Sequence, residues 1–261
     1  MRATIKKRQT VRRLEIVAIV AVVAVAVVVG VYLAMNTQSA NDAYIGKPVS
    51  PKVYSLLYQA SQSPYGASGS AYLRDVQNYS GPLFAVNGKP ILVFAGGQGC
   101  NHCALQRWSL IMALMRFGNF TNLEYMTASV TEGDYATFTF ISSSYQSNYL
   151  VFQPYEVLNR TGNPFEMLPT NYTVAFQHYE SALPYLNFAD KYVISGALLP
   201  DPGILGTKDW TQIISSIQAG DSLGNQIEQA ANVITAVICE TTGNQPVSVC
   251  SQASITALTG A

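Results

Sequence analysis

The chain has 261 residues, and its 15 lysine and arginine residues balance 15 aspartate and glutamate residues, so the formal net charge is zero. Only 11% of the residues are charged, whereas 49% are apolar. These values exclude a basic nucleic-acid-binding protein and an intrinsically disordered chain. The length suffices for one domain with additions or for two small domains, and either arrangement can bury a core.

The amino-terminal segment predicts a membrane anchor at residues 14–35, preceded by a cytoplasmic basic stub at 1–13. No charge occurs over the 20 positions of 16–35, and a helix of this length spans about 30 Å, the thickness of the hydrocarbon core of a bilayer. Six basic residues and one acidic residue precede this run. Because basic residues favour the cytoplasmic side, the sequence predicts a single-pass protein of the cell membrane with an extracytoplasmic carboxyl-terminal domain.

Two other interpretations of this segment stay open. A cleaved signal peptide would normally have an apolar core of about 7 to 15 residues and a clear small-residue cleavage site. The run here is longer, and the site at 37–39 is weak. A pilin-type assembly helix would follow a basic leader and have Glu15 at its head.

Residues 36–89 predict a stalk and amino-terminal extension, with a first helix near 51–60 that has Pro51 near its first turn. From residue 36 onward the chain is rich in small polar residues and tyrosine but poor in charge. Four Asn-x-Ser/Thr sequences are potential glycosylation sites of an exported surface, although about two would arise by chance. They begin at Asn78, Asn119, Asn159 and Asn171.

The pattern from residue 90 onward predicts an α/β fold. Residues 91–94 are wholly apolar, as in a strand buried on both faces, and a glycine-rich turn leads into a helix over 100–117. The arrangement implies a sheet flanked by helices, with at least one parallel pair of strands. Further strands are expected at 123–129, 137–141, 149–152, 185–188 and 192–194, and further helices at 209–218, 225–239 and 246–258.

The strongest chemical signal is the sequence Cys100-Asn101-His102-Cys103, where the apolar strand turns into the helix. At a helix amino terminus, free N–H groups and the helix dipole favour an anion, so the pKa of the Cys100 thiol is expected to be lowered. Cys103 lies one turn further and can attack a mixed disulfide formed at Cys100. A positive charge on His102 would favour the oxidising direction.

Two other interpretations of this pair are a zinc site and an inert structural disulfide. Zinc would need a second ligand pair, and Cys239 and Cys250 lack the usual knuckle spacing. External cysteines are often simply paired. The strand–turn–helix context favours a redox-active pair, with no metal and no cofactor.

Two segments of the chain resemble the thioredoxin superfamily. Residues 89–94, followed by the Cys-Asn-His-Cys sequence, look like its first strand and active-site helix, and 182–193 look like its later hairpin, which opens with a cis-proline. The Cys-x-His-Cys form is similar to disulfide-introducing enzymes of the DsbA and protein disulfide isomerase type. Residues 103–108, 116–120 and 137–140 also resemble a membrane-anchored, thioredoxin-like archaeal family without an assigned function.

The resemblance implies a thioredoxin-like domain at 90–222, with an insertion at about 130–182. It implies that Cys100 attacks and Cys103 resolves, and that a cis Leu183–Pro184 bond lies beside the sulfurs, where an extended substrate chain would pair. A plain trans proline that starts a strand is the alternative for this position.

The chain departs from the thioredoxin pattern at two positions. Phe94 stands where thioredoxin has a buried acid, and Gly99 stands where an aromatic residue usually precedes the first cysteine. Without the acid, Cys103 lacks the familiar base.

Residues 223–261 predict a helical hairpin closed by a structural disulfide between Cys239 and Cys250, with a second redox relay as the alternative. Arg107 and Trp108 are expected to be packing and surface residues, and His178 is expected to be structural.

The sequence therefore predicts a membrane-anchored extracytoplasmic thiol–disulfide oxidoreductase that forms or isomerises disulfides in exported proteins. Its expected partners are exported protein thiols or disulfides, a membrane redox partner that re-oxidises the pair, and the lipid bilayer through residues 14–35, but no nucleic acid. The alternative is a non-catalytic cell-surface binding or structural protein on the same scaffold.

Overall fold

A computed structural model of the chain describes residues 41–62, 69–178 and 182–259. The predicted basic stub and membrane anchor lie outside these ranges. Among the helices of the described ranges, none has both the length and the apolar character that crossing a membrane requires.

The described residues form a mixed α/β domain with a sheet flanked by helices, which confirms the α/β part of the predicted fold class. The helices are α1 (Pro51–Ser61), α2 (Asn101–Met115), α3 (Thr170–His178), α4 (Trp210–Ala219), α5 (Ser222–Thr241), α6 (Val247–Cys250) and α7 (Ala253–Thr256). The strands are β1 (Val76–Asn78), β2 (Ala85–Val86), β3 (Lys89–Gly97), β4 (Gly118–Thr121), β5 (Glu124–Thr127), β6 (Ala136–Thr139), β7 (Ser144–Ser147), β8 (Val151–Leu158), β9 (Tyr185–Phe188) and β10 (Tyr192–Ser195).

Strand β3 is the centre of the main sheet. It pairs in parallel with β8 on one side and antiparallel with β9 on the other, and the sheet continues through β10 to β1. The short β2 pairs with the first residues of β3. Eight of the nine β3 residues are buried, as the continuous apolar run at 91–94 predicts for a central strand with a parallel neighbour.

Two small antiparallel sheets lie between α2 and β8 in the chain. Strand β4 pairs with β7, and β5 pairs with β6. The predicted strands near 123–129 and 137–141 therefore exist, but they pair with each other and not with the main sheet.

Helix α2 lies in the middle of the core. Thirteen of its 15 residues are buried, among them Trp108, whose indole nitrogen donates a hydrogen bond to the Ala136 carbonyl. At its carboxyl end, Arg116 donates hydrogen bonds to Asn232 and Thr235 of α5. The helix is therefore fixed at its sides and at its far end, and its amino end is left to face the surface.

The prediction of a stalk at 36–89 is wrong for the described part of that segment. Leu57 of α1 is fully buried in the core that also contains α2, and Gln62 donates a hydrogen bond to the Met115 carbonyl. Strand β1 forms an edge of the main sheet. The polar composition of the segment suggested a stalk, but the apolar face of α1 is sufficient to attach it to the domain.

The boundaries of the predicted insertion at 130–182 also need correction. Strand β8 falls inside that range, yet it is the parallel neighbour of β3 and so belongs to the main sheet. The described segments outside the main sheet come before and after β8 in the chain, at 118–147 and 159–178.

The carboxyl-terminal segment contains one long helix and two short ones. Helix α5 covers the predicted helix at 225–239, whereas the predicted helix at 246–258 is divided into α6 and α7. A disulfide joins Cys239 to Cys250 with a Cα–Cα distance of 5.7 Å, and both residues are buried.

The substitution Leu57→Ala should lower the free energy of unfolding by about 2 to 5 kcal/mol, because it opens a cavity in the core. Chemical denaturation of the chain measures this change. Tyr58→Ala, at the neighbouring position, which is 39% exposed, is the matched control and should have a much smaller effect. Equal and negligible effects of both substitutions would support a stalk.

Candidate functional site

Cys100 is the N-cap residue of the buried helix α2. Its backbone is extended, with φ −74° and ψ 126°, and its sulfur accepts a hydrogen bond from the Cys103 amide at 3.1 Å. Helices α1, α4 and α5 have oxygen-bearing caps in this position, from Ser50, Asp209 and Asp221. A sulfur in the capping position is placed where the free N–H groups of the helix favour negative charge.

The two cysteines differ sharply in exposure. Cys100 is partly exposed, Cys103 is fully buried, and both are free thiols. The Cys103 sulfur accepts a hydrogen bond from the Gly97 amide at 3.4 Å, at the end of β3. One sulfur can therefore meet an incoming molecule, and the other lies behind it.

The pKa values of the two thiols are shifted in opposite directions. The pKa of Cys100 is lowered to about 7, mainly by the hydrogen bond from the Cys103 side chain, and also by the Cys103 amide and the charge of Arg107, against the effect of burial. The pKa of Cys103 is raised, first by burial and then by its hydrogen bond and charge interaction with Cys100. At neutral pH the exposed sulfur is thus partly thiolate, while the buried sulfur keeps its proton.

His102 lies beside the pair, but the charge interaction that lowers the pKa of Cys100 comes from Arg107. The imidazole Nδ1 lies 2.7 Å from the Asn101 side-chain oxygen. The proposed tuning by His102 stays a prediction.

The main feature that sequence reasoning missed is a buried ion pair beneath the cysteines. Arg107 was expected to be a packing or surface residue, yet it is fully buried and paired with Glu156 of β8, which is also fully buried. Arg107 also donates a hydrogen bond to the Gly97 carbonyl at 3.0 Å. The only available signal was the spacing of Arg107 four residues after Cys103, which places both on one face of the helix.

The position of Phe94 now has a structural explanation. Its ring is fully buried, and the Arg107 guanidinium carbon lies 5.3 Å from the ring centroid. On the neighbouring strand, Glu156 lies opposite Gly96, and its carboxylate is paired with Arg107.

Gly99 is the second departure from the thioredoxin pattern, and a close backbone contact accounts for it. A Cβ atom at Gly99 would lie 2.2 Å from the carbonyl oxygen of Arg160. The segment after β8 therefore occupies the space that a larger residue before Cys100 would need.

The Leu183–Pro184 peptide bond is cis. The antiparallel register places Tyr185 opposite Ala95, so the next position along this register, Pro184, is level with Gly96 at the end of β3. The proline and the cysteine turn are thus at the same end of the central strand.

Two cavities open at this end of the sheet. One, of about 570 Å³, is mainly apolar and is lined by Ala95, Val157, Pro164, Phe165, Glu166, Met167, Leu168, Thr173, Phe176, Gln177 and Leu183. The other, of about 610 Å³, contains Cys100 and is lined also by Gly97, Gly99, Ser129, Val130, Thr131, Glu132, Leu158, Asn159, Arg160, Thr161 and Gly162. Val157 and Leu158 are consecutive residues of β8, so the cavities flank the end of that strand.

The other candidate residues lie apart from these cavities. Neither Cys239 nor Cys250 lines either one, and His178 packs against Tyr79 with ring centroids 5.8 Å apart. In the part of the chain that the structure describes, no group of three or more His, Cys, Asp or Glu side chains is arranged to hold a metal ion.

The family of the chain is identified by a sequence model that is described as a domain of unknown function (DUF929). The model matches residues 76–167 and 155–240, which together exceed half of the chain. The chain belongs to this family, and the matched residues include the cysteine pair, Arg107, Glu156 and Pro184. No curated protein and no solved structure matches the chain.

Iodoacetamide should alkylate Cys100 at a rate that rises about tenfold per pH unit and levels off above about pH 7, where the thiolate predominates. Peptide mapping by mass spectrometry identifies the modified residue. Cys100→Ser is the control and should leave Cys103 unmodified at neutral pH. A plateau reached only near the pKa of an ordinary thiol would contradict the prediction.

Proposed function

We propose that the chain is a membrane-anchored, extracytoplasmic thiol–disulfide oxidoreductase. The observation that carries this proposal is the asymmetry of the Cys100/Cys103 pair. A partly exposed sulfur with a lowered pKa caps a helix, and a buried sulfur lies one turn behind it. A structural disulfide would require no difference in exposure or pKa between its two thiols, whereas exchange chemistry depends on both.

The main sheet supports a thioredoxin-like interpretation of the fold. The strand before the cysteines has a parallel neighbour on one side and an antiparallel hairpin on the other, and the cis-proline comes directly before the hairpin. This is the arrangement that the resemblance implies for an active-site helix and its substrate-binding loop.

The proposed reaction begins when the Cys100 thiolate attacks one sulfur of a substrate disulfide. A mixed disulfide forms at Cys100, and the other substrate sulfur leaves as a thiolate. Cys103 then loses its proton and attacks Cys100, which forms the Cys100–Cys103 disulfide and releases the second substrate thiol. In the reverse direction, the Cys100–Cys103 disulfide oxidises two substrate thiols.

The pKa of Cys100 argues against a strongly oxidising pair. A value of about 7 is close to that of thioredoxin, about 7, and far from that of DsbA, about 3.5. A thiol whose pKa is near the ambient pH also combines thiolate content with nucleophilicity. A membrane redox partner would set whether the pair is kept reduced or oxidised.

Exported proteins with exposed cysteines are the proposed substrates. A substrate chain that lies along the cis-proline loop would bring its cysteine to Cys100 and an apolar side chain to the cavity lined by Leu183. The buried Cys239–Cys250 disulfide is in keeping with an oxidising compartment outside the cytoplasm.

The substitution Cys103→Ser should trap covalent complexes between Cys100 and its substrates, because the resolving thiol is missing. Non-reducing electrophoresis and mass spectrometry of cells that produce the variant would detect them. The double substitution Cys100→Ser/Cys103→Ser is the control and should trap none. If Cys103→Ser yields no mixed disulfide with exported proteins or with a model disulfide, the alternative of a non-catalytic binding protein is favoured.

The proposed anchor predicts that the full chain stays in the membrane fraction after an alkaline carbonate wash. A variant that begins at residue 41 should be released, because it lacks the apolar run. A mature amino terminus located after Met35 would instead identify a cleaved signal peptide.

A further inference from the structure

Arg107 is a buried cation beside the cysteine pair. It follows Cys103 by four residues on α2, so the two side chains share a face of the helix. Both are 0% exposed. A charge without access to water is costly unless it is paired and hydrogen-bonded, so its contacts determine what it does at this site.

The contacts of Arg107 link it to Cys103 through one residue of β3. Its Nη2 donates a hydrogen bond to the Gly97 carbonyl at 3.0 Å, and the Gly97 amide donates to the Cys103 sulfur at 3.4 Å. The Nε and Nη1 atoms of Arg107 have no hydrogen-bond partner among the described residues. Two of the three guanidinium nitrogen atoms are therefore without a hydrogen bond to the described part of the chain, and the charge of Arg107 lowers the pKa of both thiols.

The carboxylate partner is held by groups on its other side. The Oε1 atom of Glu156 accepts hydrogen bonds from the Thr139 hydroxyl at 3.3 Å and from the Phe140 amide at 3.2 Å, while Oε2 accepts from Arg107. The negative end of the ion pair is thus fixed toward β6, and the positive end is fixed toward Gly97 and the cysteines.

We propose that Arg107 is a positioning residue for the resolving step, in which its buried positive charge stabilises the thiolate that forms on Cys103. This inference rests on the proposed exchange function. In that step Cys103 gives its proton to water, its sulfur bonds to Cys100, and the bond between Cys100 and the substrate sulfur breaks. The electron pair of the broken bond leaves with the substrate sulfur, which takes up a proton.

The buried cation Arg107 offers an alternative to the buried acid that thioredoxin has at the position of Phe94. A base would accept the Cys103 proton, whereas a fixed cation makes the charged form of Cys103 more stable and leaves the proton to solvent. The other charged or titratable groups near the pair are Glu132, which raises the pKa of Cys100, Arg160, which lines the same cavity as Cys100, Glu156, which is paired with Arg107, and His102, which lies between the two cysteines in the sequence.

The test follows the reaction of the reduced full-length chain with 5,5′-dithiobis(2-nitrobenzoate) by stopped flow. A first release of thionitrobenzoate reports attack by Cys100, and a second release reports resolution by Cys103. The pH dependence of the second phase gives the apparent pKa of the resolving thiol. The variants are Glu156→Gln, which removes the compensating carboxylate charge, and Arg107→Met/Glu156→Gln, which replaces the ion pair with neutral groups and leaves no unpaired buried charge.

Arg107→Met/Glu156→Gln should slow the second phase about tenfold or more at neutral pH and move its midpoint to higher pH, because a neighbouring opposite charge shifts a pKa by about 1 to 3. Glu156→Gln should move the midpoint the other way, since the arginine charge is then uncompensated. A purely structural role would not produce opposite shifts.

Arg116→Met is the matched control, because it removes another buried arginine at the far end of the same helix, where it bonds to Asn232 and Thr235. It should leave the rate and midpoint of the second phase unchanged. Wild-type resolution in Arg107→Met/Glu156→Gln, or shifts of both ion-pair variants in the same direction, would overturn the inference about Arg107. If the wild-type chain itself shows no second phase, the proposed exchange function fails as well.

Discussion

The burial of helix α2 is the constraint on which the rest of the structure depends. A helix enclosed along its length has no solvated face, so any hydrogen-bond partners of its polar side chains must come from within the protein. Gln106 accepts a hydrogen bond from the Leu198 amide, and Arg107 pairs with Glu156. Only the amino end of the helix reaches the surface, and Cys100 is located there. Because the helix is enclosed, Cys100 is the one thiol of the pair that is partly exposed, and Cys103 is buried.

The buried ion pair joins this helix to the sheet at the level of the cysteines. A buried ion pair contributes little net stability compared with well-packed apolar residues, although the loss of one partner is costly. A contribution to stability alone is therefore a weak reason for its presence. The guanidinium faces Gly97 and the carboxylate faces Thr139. The positive end of the ion pair is therefore the end nearer to the cysteines.

Local sequence signals predicted the central strand, the helix after it and the position of the cysteines, because each depends on neighbouring residues. The partner of Arg107 could not be predicted in this way, since Glu156 follows it by 49 residues and its strand fell inside a supposed insertion. The attachment of α1 was missed for a similar reason. A short amphipathic helix in a polar segment gives no sign of the core that it covers, and Leu57 is buried only by distant parts of the chain.

The two cavities lie beside the carboxyl end of β8, and each is lined by a different residue of that strand. Val157 is the extra residue where the register shifts from the Gly96–Glu156 pair to the Gly97–Leu158 pair, and it lines the apolar cavity, whereas Leu158 lines the cavity that contains Cys100. Phe165 and Met167, which line the apolar cavity, are 52% and 86% exposed. A substrate side chain bound there would cover part of this surface and gain hydrophobic stabilisation. In the proposed reaction, selection of a substrate would then depend on residues next to its cysteine, while the rate of the resolving step would depend on the buried charge of Arg107.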